Sequence, residues 1–264
     1  EKSCGLEIFL SGVISGMVAW AGIVYWVAYV MNEYGGMTLL PASFLLLLLI
    51  TCLSLFFGFF ALLSSRLLRT KGAFLFIPGL WALMELVRSY VPFSGFPWAL
   101  LGYSQQPWTP FIQAAELGGV YLIGAVVMMG NVAVYELVRK KALVPVTITA
   151  LLAVSLVFWG SWRMNGFAAG PGTVRAAVAQ ANIPQDQKWS PEMVDPTIDI
   201  YSRLTREAVA RGARIVVWPE ASCPFFLMLQ WPYSGRIIAL SSSTQARLIV
   251  GSPAYENGVY LNRM

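Results

Sequence analysis

The 264 residues are 57% hydrophobic and only 12% charged, with a net charge of +5 and no histidine, where an ordinary soluble domain carries about 25% charged residues. This composition excludes an ordinary soluble globular protein, and the lack of histidine removes the imidazole general base and the commonest metal ligand from this stretch. Cys4, Cys52 and Cys223 have neither zinc-site nor disulfide-framework spacing, and the Lys and Arg residues lie in short loops rather than on an aromatic-laced stripe, so neither a metal site nor a nucleic-acid partner is expected.

In chain order, five apolar runs approach the roughly 20 residues that cross a bilayer: 8–31, 39–63, 74–91, 116–137 and 142–162. The third is the shortest and carries Glu85 and Arg88. Arg66, Arg69 and Lys71 follow the second run, and Arg139, Lys140 and Lys141 follow the fourth. The loops around 34–36 and over 92–113 hold no Lys or Arg. The positive-inside rule therefore puts the basic loops in the cytoplasm and the neutral ones outside. Residues 1–163 are expected to form a transmembrane helical domain of five spans, with residues 164–264 extracytoplasmic.

Two features of the membrane half invite a functional reading. Glu85 and Arg88 stand one helical turn apart near the outer end of the third run, and charges within a bilayer are usually paired or functional. A mutual ion pair and a grip on a lipid phosphate by the forked Arg donors both remain open at this point. The uncharged loop 92–113 carries Phe93, Phe96, Trp98, Tyr103 and Trp108. Interfacial anchoring accounts for part of that aromatic content, and a membrane-dipping segment or acyl-chain groove for the rest.

After a Gly/Pro break at 168–172 the pattern changes. A β-rich run spans 174–181. A helix is predicted over 195–213, with Ile198, Tyr201, Leu204 and Ala208 on one face and Gly212 placed to end it. A short buried strand at 214–218, a helix at 234–246 and a strand at 248–251 follow, and Tyr260 to Asn262 begin what reads as an unfinished strand. This alternation predicts an α/β layered domain, and the two ends read as those of a partial chain. Pro219 stops the strand that ends at Trp218 and delivers Glu220 just past its carboxyl end, where open α/β sheets bind ligands. The residues that follow are mostly uncharged and provide no evident salt-bridge partner, which suits a general base. Cys223 lies three residues on without the strand-to-elbow context of a nucleophile, so it is read as a packing residue.

These motifs together resemble the nitrilase, or carbon–nitrogen hydrolase, superfamily, and in particular its membrane branch, the apolipoprotein N-acyltransferases. The resemblance rests on Trp218–Pro219–Glu220–Ala221, on the strand running from Ala179 through Asn182, Ile183 and Pro184 to Lys188 and Trp189, and on four membrane-half motifs. Those are Trp26–Val27 with Tyr34–Gly35–Gly36–Met37, Glu85–Leu86–Val87–Arg88, Ser94–Gly95–Phe96–Pro97–Trp98, and Gly102–Tyr103–Ser104–Gln105. It implies an α-helical transmembrane bundle followed by a truncated nitrilase-like α/β domain of αββα type, in the inner membrane of a bacterium. It implies acyl transfer from a phospholipid to a cysteine thioester and then to the amine of a diacylglyceryl-cysteine on an apolipoprotein, without a cofactor. Glu220 matches the base of a Glu-Lys-Cys triad. The lysine and the nucleophilic cysteine have no match, Lys188 belonging to the Gln-x-x-Lys-Trp motif, so the chain as it stands is expected to be inactive. Arg88, Trp98, Tyr103 and Trp189 are the candidate lipid-binding residues. A membrane-tethered amidase and a non-catalytic lipid-binding sensor remain alternatives at this stage.

Overall fold

The computed structural model describes residues 5–91, 95–166, 173–256 and 258–263. Cys4, residues 92–94 of the aromatic loop with Phe93 and Ser94, the 168–172 break and Met264 lie outside the described residues. The chain divides into two compact units, one running to residue 168 and the other from 169.

The first unit is helical. Its helices are α1 Gly5–Val24, α2 Trp26–Glu33, α3 Leu39–Leu67, α4 Ala73–Arg88, the one-turn α5 Thr109–Ile112, α6 Ala115–Lys140 and α7 Val144–Asn165. Four of them, α1, α3, α6 and α7, are long and apolar enough to cross a membrane. Exposed side chains such as Val18, Leu40 and Phe158 form an outer surface that lipid would cover. The chain is a membrane protein. The first expected span is covered by α1 and α2, which meet at Tyr25, a residue that keeps helical φ −53° and ψ −34°. The third is shorter than a full span: the 16 residues of α4 rise about 24 Å, against a hydrocarbon core of about 30 Å.

Lipid tails are as apolar as leucine, so helices in a bilayer associate through close packing rather than through hydrophobic burial. The α1–α3 contact is built that way. A Cβ placed on Gly12 would sit 2.6 Å from the carbonyl oxygen of Phe57, and one on Gly58 would sit 2.7 Å from Phe9 and Val13. At the start of α6, Gly119 adopts φ 66°, ψ −170° and interrupts the helix, so its continuous part begins at Val120. The 3₁₀ turn Leu101–Gln105 then packs on α6, with Gly102 pressed against the carbonyl of Val120.

The second unit alternates strand and helix: β1 Ala176–Val178, α8 Val194–Ala210, β2 Ile215–Val217, α9 Trp231–Thr244 and β3 Arg247–Ile249. The three strands form a parallel sheet in the order β1-β2-β3, with Ala177, Val216 and Leu248 in register. Parallel pairing needs crossovers, and α8 and α9 supply them. Ile198 and Tyr201 of α8 meet Val216, Trp218, Ile237 and Leu240 in the core. Helix α8 stops three residues short of its predicted end because Gly212 takes φ +89° and turns the chain into β2. The expected last strand is one arm of an antiparallel hairpin, β4 Ser252–Glu256 and β5 Val259–Arg263, with Tyr255 and Tyr260 packed 4.8 Å apart across it.

Candidate active site

In the α/β unit the candidate site begins with Trp218, whose indole is fully buried, stacks 4.8 Å from Tyr201 and donates to Thr205 Oγ1 at 3.0 Å. That anchor fixes the carboxyl end of β2. Pro219 ends the ladder, and Ala221 at φ +48° reverses the chain. Glu220 is therefore carried at the tip of a turn and is exposed. The turn rests on the end of β3. The Trp218 amide donates to the Ile249 carbonyl at 2.8 Å and the Cys223 amide to the Gly251 carbonyl at 3.1 Å. Ser222 Oγ donates to that same carbonyl at 3.0 Å.

Gly251 is what lets the two segments approach. A Cβ there would lie 2.6 Å from the Pro219 carbonyl oxygen and 2.9 Å from the Glu220 Cα. Its position at the end of a strand was visible as a sequence signal, since glycine in such places often marks a close backbone approach. The partner of the Glu220 carboxylate was not visible. Asn262 Nδ2, on β5, donates to Oε1 across a separation of 42 residues.

Lys188 Nζ lies 3.5 Å from the backbone carbonyl of Glu220 and 5.6 Å from the centre of the Trp189 ring, so the Gln-x-x-Lys-Trp segment borders the same turn. Trp189 itself is half exposed. Cys223 is 1% exposed within the core, and burial pushes its thiol up to about 12. A group held neutral in that way is a packing residue at ordinary pH, in keeping with the sequence reading.

The helical unit holds the other candidates. Arg88, 4% exposed, is turned inward. Its Nη1 donates to the carbonyls of Phe96 at 2.7 Å and Trp98 at 2.9 Å, and its guanidinium lies 4.9 Å from the centre of the Trp20 ring. Glu85, 3% exposed, accepts from the Leu101 amide at 2.7 Å. Its approach to Arg88 is only 3.9 Å. The i,i+3 ion pair of the sequence reading is present at 3.9 Å, and the shorter contacts of both side chains go to the loop backbone. The two N–H groups of the one Nη1 reach two convergent carbonyls.

Trp98 is 53% exposed, and its ring lies 5.3 Å from that of Trp26. Tyr103, in the 3₁₀ turn, is exposed as well. Beside the loop, Leu45, Leu48, Leu49, Cys52, Gly95 and Phe96 line an apolar groove of about 400 Å³. The sequence reading missed Trp20 and Trp26 as the aromatic support of this loop, since both sit in apolar runs where a belt residue looks the same.

Residues 2–133 match the family described as the apolipoprotein N-acyltransferase N-terminal domain. Over 261 residues the chain is 34% identical to a protein of Geobacter metallireducens named apolipoprotein N-acyltransferase, covering 95% of this chain and 50% of that one. Proteins of the same name from Vibrio parahaemolyticus and Methylococcus capsulatus are 31% and 30% identical, covering 91% and 94% of this chain and 47% and 49% of theirs. The chain thus spans about half the length of these relatives.

Proposed function

The chain belongs to the apolipoprotein N-acyltransferase family, and on that premise we propose that it supplies the membrane bundle and the first part of the catalytic domain of an enzyme that moves an acyl chain from a phospholipid to the N-terminal diacylglyceryl-cysteine of an apolipoprotein. The reading places it in a bacterial inner membrane, with the basic ends of α3 and α6 in the cytoplasm and the α/β domain outside.

Glu220 is the general base in this reading. It takes the proton of a cysteine thiol supplied by the remainder of the longer protein. The thiolate attacks the ester carbonyl of the phospholipid, a lysine stabilises the oxyanion, and lysophospholipid leaves with the proton as the thioester forms. The apolipoprotein amine then attacks the thioester, forming the amide and releasing the thiol. Neither that cysteine nor that lysine has a counterpart in this chain, so alone it is catalytically incompetent. Trp98 and Tyr103 border the route of the donor lipid and the apolar groove beside α3 takes part of an acyl chain. Trp189 flanks the Glu220 turn.

The observation that carries the proposal is the exposed carboxylate of Glu220 at the carboxyl end of a central parallel strand, on a turn fixed from below by Gly251 and bordered by Lys188. In the full-length protein Glu220→Gln keeps the size and the Asn262 contact but cannot accept a proton. A general base contributes about 10²–10⁴-fold in rate, so mass spectrometry should find acyl-enzyme formation reduced by that factor. Thioester accumulation at the parental rate removes Glu220 from the mechanism.

A further inference from the structure

We propose that Glu85 and Arg88 are positioning residues for the outer aromatic loop, holding its backbone so that Trp98 faces the donor lipid, and that neither touches the lipid itself. The proposal rests on the acyltransferase reading and deepens it at the donor side.

Three hydrogen bonds tie α4 to residues 96–101, and all of them engage loop backbone. Arg88 Nη1 donates to the Phe96 and Trp98 carbonyls, and Glu85 Oε1 accepts from the Leu101 amide. A fourth bond, from the Phe96 amide to the Arg88 carbonyl at 2.8 Å, joins the two backbones directly. The loop needs such fixing because Ala99 takes φ +51°, a region that L residues rarely adopt, while the turn at Gly95, φ +84°, falls to a glycine. The holders are themselves held. Trp20 lies against the guanidinium, and the other side of the Glu85 carboxylate faces Gly124 of α6, where an added Cβ would come within 3.0 Å of Oε2.

Burial decides between positioning and direct contact. At 3% and 4% exposure these two side chains present almost nothing to a ligand. Trp98, whose carbonyl takes one of these bonds, keeps an exposed side chain, with the Phe96 and Trp26 rings 6.0 Å and 5.3 Å from its own. The two buried side chains thus fix a backbone, and an aromatic ring meets the substrate. Carbonyl oxygens are good acceptors for a planar fork with fixed donor angles, and lysine supplies only a point charge there.

The test uses the full-length enzyme with two acyl donors, a phospholipid and a diacylglycerol that lacks phosphate. Arg88→Met should lower kcat/KM for thioester formation by about 10- to 100-fold, the range that an ångström-scale misplacement produces. The loss should be equal for the two donors, and it should shrink to less than about threefold in a Trp98→Ala background. A loss confined to the phospholipid identifies a phosphate grip and overturns the proposal, as does a loss that simply adds to that of Trp98→Ala. Arg88→Lys guards against a variant that fails to fold. Amide exchange in it should rise at residues 95–101 and stay at the parental level in α1, α3 and α6. Faster exchange throughout those helices assigns Arg88 to general stability instead. If the parental enzyme forms no thioester from either lipid, the acyltransferase reading fails, and that result is separable from each of the others.

Discussion

Gly251→Ala is the smallest change that should separate folding from chemistry in the α/β unit. The new methyl group would sit 2.6 Å from the Pro219 carbonyl oxygen and 2.9 Å from both the Ala221 nitrogen and the Glu220 Cα. All three neighbours are backbone atoms, so no side-chain rotamer can relieve the contact. To reach an ordinary contact of about 3.4 Å the Pro219 carbonyl must retreat by about 0.8 Å, carrying Glu220 with it. Overpacking of this kind costs about 1–3 kcal/mol, which a folded domain survives. A displacement near 1 Å at a reacting group costs about 10²-fold in rate. In the full-length enzyme Gly251→Ala should therefore retain cooperative thermal unfolding with a lowered midpoint, while acyl-enzyme formation by mass spectrometry drops about a hundredfold. A variant that acylates within twofold of the parental rate would show that the height of the Glu220 turn above the sheet does not control the reaction.

Trp218→Phe keeps the stack on Tyr201 but removes the donor to Thr205, leaving a buried hydroxyl oxygen without its partner; a loss of about 1–3 kcal/mol is expected, read as a lower unfolding midpoint, and no loss would mean that Thr205 finds another donor. The thiol of Cys223 ionises at about 12 when folded against a reference of 9.0, so its contribution to stability is complete below pH 9 and declines as pH rises from there towards 12. Cys223→Ala should flatten that part of the stability profile, measured as unfolding midpoint against pH, and an unchanged slope would refute the assignment. For the orientation, cysteine probes at Ser190 and Thr70 in intact cells should be labelled from outside and protected, respectively; labelling of Thr70 from outside would invert the topology.

The membrane helices were legible because lipid demands long uninterrupted apolar runs, which no soluble element needs. Their ends were harder to see. At Tyr25 the composition stays apolar through Trp26, Val27 and Ala28, so nothing local marks the junction of α1 and α2. The short α4 looked nearly long enough as a sequence because Tyr90 and Val91 prolong its apolar character beyond Arg88. Glu85 and Arg88 were visible as a charged pair at helical spacing, but their hydrogen-bond partners are carbonyls and an amide, groups that no sequence pattern reveals. In the α/β unit the alternation of elements and the strand-ending proline disclosed Glu220. Asn262 stayed hidden because its link to Glu220 depends on a hairpin whose first arm contains Pro253, a residue that argues against a strand unless it lies at an edge.

The parallel order of the small sheet has a consequence for how the domain is made. Ala177 and its partner Val216 are 39 residues apart in the chain, and Val216 and Leu248 are 32 apart. Neither pairing can form before its crossover helix has been synthesised, and non-local closures of this kind are entropically slow. As the chain emerges from its N-terminus, β2 meets β1 while its other edge still waits for β3. Ile249 and Gly251 carry the carbonyls that seat Trp218, Ser222 and Cys223, so the turn bearing Glu220 acquires its shape only when β3 docks. Until then the Cys223 thiol is unburied, with a far more accessible thiolate than in the folded domain. Nascent chains of increasing length should therefore lose reactivity at Cys223 towards a thiol reagent once residue 251 has left the ribosome, a signal that times the completion of the Glu220 turn during biosynthesis.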